Sequence, residues 1–257
     1  MVGTLVVNEV FLSLQGESSF AGQPCVFVRL SACNLRCSYC DTAYAFTEGR
    51  RRDVEDVLAE VRRLTAPWTG RSPKCEVRSP NPEPTDGRRL PLVELTGGEP
   101  LLQPAALRLM RCLCDEGFTV LLETSGALDI APVDPRVRRI MDLKCPSSGE
   151  VERNRWENLA HLRATDEVKF VIGTAEDYAW AKQMIATLRL EAVCPLLFSW
   201  AAPLAPHQQD PSLKPVPPGH TPLTRRELAE RILADALPVR FQVQMHKVIW
   251  PPDQRAV

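Results

Sequence analysis

The sequence lacks a large excess of charge of either sign, long apolar runs and a recognisable export signal. Its 31 basic and 32 acidic residues leave a formal net charge of -1, which argues against an extended nucleic-acid-binding surface or an acidic tail. No stretch reaches the roughly 18 consecutive apolar residues that predict a membrane span. Residues 1–10 do not combine a basic region with an apolar core, so no secretory signal is expected. We therefore expect a cytoplasmic protein that binds neither membranes nor nucleic acid directly.

Cysteine, by contrast, is abundant, with nine residues in the chain. In a chain without an export signal, this number indicates a reducing compartment and not a disulfide framework. Cys33, Cys37 and Cys40 have the spacing C-x3-C-x2-C, and Tyr39 directly precedes the third thiol. Three thiolates on one loop can hold three irons of a 4Fe–4S cluster and leave the fourth iron open to a ligand. The pattern resembles the signature of the radical S-adenosylmethionine superfamily, whose cofactor binds the open iron.

A zinc site or a redox pair is the alternative interpretation of the same loop. Cys37 and Cys40 alone form C-x-x-C, which occurs in both. A zinc site of this kind needs a second pair of ligands. The other close pair, Cys112 and Cys114, is separated by one residue in a predicted helix, so the two thiols point to different faces. The sequence favours the cluster, and an anaerobic iron and sulfide assay separates it from a zinc or redox binding module.

Apolar strand-like segments alternate with helix-like segments along the chain. Strands are expected at 25–30, 91–95, 118–123, 140–144, 167–172, 192–198 and 239–245, and helices at 53–64, 104–116, 174–188 and 224–236. This alternation predicts an α/β protein with a parallel sheet. Glycine- and hydroxyl-rich segments follow several strands, as they do at the active-site edge of barrel folds. We predict an incomplete parallel (β/α)6-type barrel, with a doubly wound open sheet as the alternative.

We expect a single domain over residues 1–257 with irregular segments at three places. Residues 66–90 hold five prolines and no periodicity, which predicts a long loop or insertion. Residues 203–222 hold seven prolines and predict an ordered surface loop. The tail at about 246–257 is expected to cover the substrate, and residues 249–257 within it have neither a helical nor a strand period.

Arg29 interrupts the apolar strand at 25–30. A buried charge is costly unless it is paired. One explanation is a structural salt bridge. The other is recognition of a carboxylate substrate, because the guanidinium group binds carboxylates through two parallel hydrogen bonds.

Several motifs together resemble the 7-carboxy-7-deazaguanine synthases, a radical S-adenosylmethionine family of deazapurine and queuosine biosynthesis. The resemblance runs from Val7 to Val257, and residues 66–90 match least. Its landmarks are Leu-Gln-Gly-Glu at 14–17, Arg-Leu at 29–30, Cys-Asp-Thr at 40–42, Leu-Thr-Gly-Gly-Glu-Pro at 95–100, Glu-Thr-Ser-Gly at 123–126, Asp-Leu-Lys-Cys-Pro at 142–146 and Arg-Phe-Gln-x-Gln-x-His-Lys at 240–247. Thr-Gly-Gly-Glu-Pro is shared by the whole superfamily and is weak evidence for this family. The combination of Leu-Gln-Gly-Glu with Gln-x-His-Lys is much more specific to it.

The resemblance implies a radical carbon–nitrogen lyase. Its substrate would be 6-carboxy-5,6,7,8-tetrahydropterin, whose ring contracts with loss of ammonia to 7-carboxy-7-deazaguanine. The implied cofactors are one 4Fe–4S cluster, S-adenosylmethionine and Mg2+. The implied partners are an electron donor such as flavodoxin or ferredoxin and a second copy of the chain in a homodimer.

The resemblance also assigns site residues. The cluster ligands would be Cys33, Cys37 and Cys40, and Thr42 would offer its hydroxyl to Mg2+, which prefers oxygen ligands. The cofactor would lie against Tyr39, Cys40, Asp41, Gly98, Glu123, Thr124, Ser125, Asp142, Leu143, Lys144, Phe198 and Ser199. The substrate would contact Leu14, Gln15, Gly16, Arg29, Thr96, His246 and the terminal carboxylate of Val257.

Simpler roles remain open for three of these residues. Thr42 could only cap a turn, Lys144 could be an exposed strand end, and His246 could be a structural histidine. The resemblance leads us to expect Pro-Val after Ser199, but this sequence has Trp200-Ala201 there. This departure affects the cofactor contacts that the resemblance implies near 198–203. The rival enzyme is a glycyl-radical-enzyme activase, which shares the cluster loop but acts on a protein and does not need Gln-x-His-Lys.

Overall fold

The computed structural model describes residues 3–69, 91–251 and 254–256. Their centre is one nine-stranded sheet. The strands are β1 (Thr4–Leu14), β2 (Pro24–Leu30), β3 (Arg50–Asp53), β4 (Leu92–Gly97), β5 (Val120–Thr124), β6 (Arg138–Asp142), β7 (Glu167–Ile172), β8 (Leu196–Trp200) and β9 (Arg240–Gln242). The α-helices are α1 (Val54–Thr69), α2 (Ala105–Asp115), α3 (Ala175–Leu188), α4 (Arg225–Ala234) and α5 (His246–Ile249).

The sheet is parallel over most of its width. From edge to edge the order is β3, β1, β2 and then β4 through β9 in sequence. β1 is antiparallel to both of its neighbours, whereas β2 and β4 to β9 pair in parallel. Parallel strands need crossover connections, and the helices that follow β4, β7 and β8 in the chain supply them. The predicted α/β class with a parallel sheet is confirmed.

Alternation of side chains along each strand gives the sheet two different faces. On β2, Val26, Val28 and Leu30 pack into an apolar core with α1 and α2. A second core joins β7 and β8 to α3 and α4. The opposite face carries a smaller apolar cluster that includes Cys25 and Leu121 and no helix residue. Beyond that cluster, the inward positions become polar, and this is where the candidate site lies.

Two predicted helix starts are confirmed in atomic detail. Thr174 and Asp177 form a capping box at α3, in which each side chain accepts a hydrogen bond from the other residue's backbone N–H. Thr224 and Glu227 do the same at α4. These contacts satisfy N–H groups that have no partner inside the helix. Both helices therefore begin where the sequence pattern places them.

The predicted loop at 66–90 begins too early. α1 continues through Pro67 to Thr69, so the prediction is wrong for residues 66–69. Proline removes one helical N–H, and near a C-terminus the earlier turns keep theirs. The Thr65 hydroxyl also donates to the Val61 carbonyl, at 2.9 Å, in that last part of the helix. Residues 70–90, with Cys75, lie outside the described part of the chain.

Three smaller differences concern strands and the tail. β3 contains three consecutive arginines and was not predicted, although charged residues suit a strand at a sheet edge. The strand expected at 239–245 spans only Arg240–Gln242. The tail begins with the short helix α5, which was not among the predicted helices. No helix among the described residues is long and apolar enough to cross a bilayer.

Candidate active site

A cavity of about 620 Å³ lies at the carboxyl ends of the parallel strands. It brings together most of the predicted site residues, from segments far apart in the chain. Its lining includes Leu14, Gln15, Gly16, Arg29, Cys33, Cys37, Tyr39, Cys40, Asp41, Thr42, Thr96, Gly98, Glu123, Thr124, Ser125, Asp142, Lys144, Ser199 and His246. The loop with the three cysteines, called the cluster loop, therefore faces the same cavity as the turn at 14–17, called the substrate turn.

Two predicted residues do not line this cavity, and a third lies outside the described residues. The Leu143 and Phe198 side chains belong to the core on the helix-covered face. Phe198 packs edge-on against Phe170, with ring centroids 5.6 Å apart. The period of two along β8 turns Ser199 inward and Phe198 outward. The third residue, Val257, is not described.

The loop that carries the three thiols is held from two sides. The Arg36 backbone N–H donates to Glu150 Oε1 at 2.7 Å, and the Ser38 backbone N–H donates to the Ser148 carbonyl at 3.1 Å. From the other side, the Glu99 backbone N–H donates to the Ala32 carbonyl at 2.8 Å. The loop is thereby fixed before any ligand binds.

The two glycines after β4 are required by this packing. A Cβ atom on Gly97 would lie 2.1 Å from the Leu30 carbonyl oxygen, and one on Gly98 would lie 1.9 Å from the Ala32 carbonyl oxygen. Gly97 also has a φ of +129°, which side chains disfavour. Both glycines therefore permit the close approach of the chain's own cluster loop.

The three thiols line one wall of the cavity. Burial raises the pKa of all three, to about 12 for Cys37. Within the described residues, no three His, Cys, Asp or Glu side chains are placed to hold a single metal ion together. A 4Fe–4S cluster does not need such a group, because each thiolate ligates a different iron. The donor set therefore fits a cluster better than a single zinc ion.

Glu99 fixes the segment that follows β5. Its carboxylate accepts hydrogen bonds from the Thr124 hydroxyl at 2.9 Å and from the Ser125 backbone N–H at 2.8 Å and hydroxyl at 2.5 Å. Glu99 is fully buried, so these bonds form away from solvent. They hold the Thr-Ser pair in one conformation at the cavity wall.

Lys144 is not the exposed strand end that one interpretation allowed. Its side chain is 8% exposed, and its Nζ lies 2.7 Å from Asp142 Oδ2. The other oxygen, Asp142 Oδ1, is buried without a hydrogen-bond partner among the described residues. The same holds for the hydroxyl of Tyr39. Unpartnered buried polar atoms at a cavity wall are suited to a polar ligand.

Thr42 precedes a short 3-10 helix at Ala43–Phe46, but its hydroxyl does not cap that helix. Its Oγ1 atom lies 3.8 Å from Cys40 Sγ. The simple capping role considered for Thr42 is therefore not observed. Its hydroxyl stays at the cavity, beside the last thiol.

Both roles considered for Arg29 have support. Its Nε atom pairs with Glu9 Oε1 at 2.7 Å, and Tyr44 donates to the same oxygen at 3.2 Å. The two terminal Nη atoms donate no hydrogen bond to any described residue, and Arg29 lines the cavity. The ion pair thus orients a guanidinium group whose outer edge remains available.

The turn after β1 meets the C-terminal segment. The Met245 backbone N–H donates to the Gly16 carbonyl at 3.2 Å, and a Cβ on Gly16 would lie 3.3 Å from His246 Nδ1. Burial lowers the pKa of His246, which favours the neutral imidazole. His246 is therefore part of the cavity wall.

Several charged residues at the cavity were missed by the sequence analysis. They are Glu94, Lys169, Lys247 and Arg255. Glu94 and Lys169 each interrupt a buried strand, which is the signal that singled out Arg29. Lys247 Nζ lies 2.5 Å from Asp41 Oδ2, and Arg255 lies 3.7 Å above the Tyr44 ring. No local pattern in the sequence predicts these last two contacts, because more than 200 residues separate the partners.

Comparison with known proteins gives a consistent result. No family model matches the chain. The chain is 40% identical over 256 residues to the 7-carboxy-7-deazaguanine synthase of Chlorobaculum tepidum, covering 98% of this chain and 97% of that protein. It is 41% identical over 254 residues to the enzyme of that name from Koribacter versatilis, covering 98% and 99%.

Solved structures agree at the level of the fold. The crystal structure of QueE from Escherichia coli has a TM-score of 0.62 at 22% identity and covers 95% of both chains. SuiB of Streptococcus suis bound to S-adenosylmethionine has a TM-score of 0.54 at 11% identity, covering 82% of this chain and 48% of SuiB. The fold is thus the predicted radical S-adenosylmethionine barrel type. Because relatives at 40% and 41% identity match nearly from end to end, this chain belongs to the 7-carboxy-7-deazaguanine synthase family.

Proposed function

We propose that this enzyme converts 6-carboxy-5,6,7,8-tetrahydropterin into 7-carboxy-7-deazaguanine and ammonia by radical-mediated ring contraction. The observation that carries the proposal is one cavity shared by two kinds of residue. The three thiols line this cavity, and Gln15 and Arg29 line it as well. A hydrogen-abstracting cofactor and a carboxylated substrate would meet there.

Cys33, Cys37 and Cys40 would hold a 4Fe–4S cluster. When bound, the cluster and S-adenosylmethionine supply a 5′-deoxyadenosyl radical, which takes a hydrogen atom from the substrate. The chain's own contribution is to keep the thiols on a loop that Glu150, Ser148 and Glu99 hold in place. A loop fixed in this way spends little conformational entropy when the cluster binds.

The cofactor would occupy the wall formed by Tyr39, Asp41, Gly98, Glu123, Asp142 and Lys144, together with Ser125 and Ser199. The unpartnered Tyr39 hydroxyl and Asp142 Oδ1 support this placement, because a ligand with ribose hydroxyls and amino groups would satisfy them. Leu143 and Phe198 would take part through their backbones or by supporting their neighbours. The backbone pairing of Phe198 with Phe170 and Phe241 makes support the simpler role.

The substrate carboxylate would lie against Arg29, with Gln15, Gly16, Thr96 and His246 around the ring. A guanidinium group with a free outer edge matches a carboxylate in charge and geometry. Thr42 would offer one oxygen ligand to Mg2+ between the carboxylate and the protein. The tail would cover this end of the cavity.

Two partners complete the proposal. The cluster needs a one-electron donor such as flavodoxin or ferredoxin. A second copy of the chain would form a homodimer, and exposed Val248 and Ile249, at 66% and 49%, offer apolar surface for burial. The product would then enter deazapurine and queuosine biosynthesis.

Anaerobic reconstitution tests the proposal. The purified chain is loaded with iron and sulfide, reduced, and incubated with S-adenosylmethionine, Mg2+ and the carboxypterin. We expect a product whose mass is that of the substrate minus ammonia, and no product when S-adenosylmethionine is omitted. Full cluster content with no consumption of the pterin would contradict the proposal.

A further inference from the structure

Three carboxyl groups and one ammonium group line the cavity, on the inward face of the sheet and on the turn that follows β1. The carboxyl groups belong to Glu17, Glu94 and Glu123, and the ammonium group belongs to Lys169. Lys169 Nζ pairs with Glu123 Oε1 and lies 3.6 Å from Glu17 Oε2. Glu17 also accepts a hydrogen bond from the Ser199 hydroxyl. Lys169 therefore forms ion pairs with two of these three carboxylates, those of Glu123 and Glu17.

Glu94 is the carboxyl group without a cationic partner. In the described part of the chain, no Lys, Arg or His nitrogen lies within 4.0 Å of its oxygens, and Arg29 is engaged by Glu9. The side-chain amide of Gln15 donates to Glu94 Oε2, while Oε1 accepts no hydrogen bond from these residues. Glu94 is 4% exposed. An isolated buried carboxylate takes up a proton instead of paying the cost of desolvation.

The surroundings on balance favour the neutral form of Glu94. Burial, and then the negative charge of Glu123, raise its pKa well above the usual value, and these effects outweigh the opposing charges of Lys169 and Arg29. Burial alone would lower the pKa of Lys169, but Glu123 and Glu17 outweigh it and raise that pKa instead. Lys169 therefore stays charged beside those two residues, and Glu94, which has no cationic partner among the described residues, is the carboxyl group best placed to carry a proton.

The strand register places the Glu94 carboxyl group close to residues that are expected to contact the substrate. On β4, Glu94 and Thr96 alternate with Val93 and Leu95, which pack into the helix-side core. Thr96 pairs in register with Arg29 on β2. Glu94 is two residues earlier on the same face, about 7 Å along the strand from Thr96. It is also bonded to Gln15, so it lies next to two residues expected to contact the substrate.

We propose that Glu94 is the general acid that protonates the departing nitrogen when ammonia is lost. The inference rests on the proposed function. Ring contraction pushes the ring nitrogen out of the ring, so it must leave as an exocyclic amine. The carbon–nitrogen bond breaks with its electron pair on nitrogen, and that nitrogen takes the Glu94 proton to become ammonia.

The remaining proton and electrons balance without another reagent. Departure of ammonia leaves a cation on the carbon that bears the carboxylate, and the ring nitrogen stabilises it by conjugation through the ring carbon–carbon double bond. The adjacent carbon then loses one proton, and its carbon–hydrogen electron pair forms the new ring double bond. The Glu94 carboxylate accepts that proton and returns to its neutral state. No electron enters or leaves, and one proton is given and one is recovered.

Glu94→Gln tests the assignment, because it keeps the shape and removes the acidic proton. Glu167→Gln is the matched control. Glu167 is also 4% exposed with a pKa raised by burial, but its carboxylate accepts from the Ser19 backbone N–H at 3.1 Å and it lies outside the cavity lining. Both variants are compared with wild type for cluster content and melting temperature.

The assay separates the radical step from ammonia loss in a single turnover. The substrate carries deuterium on the carbon that bears the carboxylate. In Glu94→Gln we expect deuterium transfer into the 5′-deoxyadenosyl group of the cofactor to stay within about threefold of wild type, while ammonia release slows on the order of 100-fold. A rearranged amine with the mass of the substrate should accumulate. Glu167→Gln should change neither rate.

Two further measurements test the assignment even if Glu94→Gln does not fold. Glu94→Asp retains an acid and should recover at least part of the lost ammonia release, roughly tenfold. In glutamate-labelled wild-type protein at pH 7, infrared spectroscopy should detect a protonated carboxyl band that Glu167→Gln leaves unchanged and Glu94→Gln removes. Ammonia release at the wild-type rate in Glu94→Gln, or absence of that band from wild type, would overturn the assignment. If wild type transfers no deuterium and releases no ammonia, the proposed function itself fails.

Discussion

Replacing Arg29 with lysine separates its two roles, because lysine can keep an ion pair but not the planar fork. Arg29 pairs with Glu9 through Nε, and both side chains are mostly buried, at 15% and 17% exposed. A lysine ammonium group can still reach one carboxylate at a time. It cannot hold Glu9 through one nitrogen and the substrate carboxylate through two others. Arg29→Lys should therefore reduce substrate binding much more than folding stability.

The size of the effect follows from the number of hydrogen bonds. The outer edge of Arg29 can donate two parallel bonds to a carboxylate, and lysine replaces them with one at most. A hydrogen bond to a charged group contributes about 1.5–3 kcal/mol. Loss of one such bond predicts a dissociation constant between about 10-fold and 150-fold higher, since ~1.4 kcal/mol corresponds to a factor of ten.

Equilibrium binding of two ligands measures this. One is the carboxypterin, and the other is the same pterin without its carboxyl group. We expect Arg29→Lys to weaken only the first. Glu9→Gln is the companion variant, and it should lower the melting temperature without weakening carboxypterin binding, because it removes a negative charge beside the guanidinium group. Equal affinity of wild type and Arg29→Lys for the carboxypterin would show that Arg29 serves Glu9 alone.

Three further predictions concern the cluster, the metal and the tail. Cys37→Ala should lose bound iron and all turnover, whereas Cys112→Ala, on the far side of the sheet in α2, should keep its cluster; equal loss in both would refute the ligand assignment. Thr42→Ala should weaken activation by Mg2+ while S-adenosylmethionine binding stays nearly unchanged, and an unaltered Mg2+ titration would exclude this role. Residues appended after Val257 should raise the KM for the pterin by roughly tenfold or more, equivalent to ~1.4 kcal/mol, with cluster content unchanged. An N-terminal tag is the control, and identical KM values for both tagged forms would mean that the tail does not cover the substrate.

Much of the fold could be predicted because its signals are local. Buried strands and capping boxes depend on neighbouring residues, and α3 and α4 begin where their capping residues lie. β3 escaped prediction because its arginines have no apolar period, and its strand conformation comes from pairing with β1. The end of α1 was misplaced because proline was given too much weight near a helix C-terminus.

The site was predictable in its motifs but not in its charge balance. The side chains on alternate strand positions point inward, which explains why Ser199 lines the cavity and Phe198 does not. The same alternation marks Glu94 and Lys169 as inward charges within apolar strands. Which carboxylate Lys169 would pair with depends on three strands and the turn at 14–17 coming together, and this is visible only in the folded chain.

The C-terminal segment connects the two sides of the cavity. Asp41, directly after the last cluster cysteine, accepts from Lys247, while Met245 donates to Gly16 in the substrate turn. Burial would raise the pKa of Asp41, but Lys247 outweighs it and the pKa is lowered, so the carboxylate stays ionised and the pair persists. Arg255 adds a second link through Glu48 at 2.8 Å and the Tyr44 ring. One segment thus contacts both the cluster loop and the substrate turn, and its contacts help to hold the two in a fixed arrangement around the cavity.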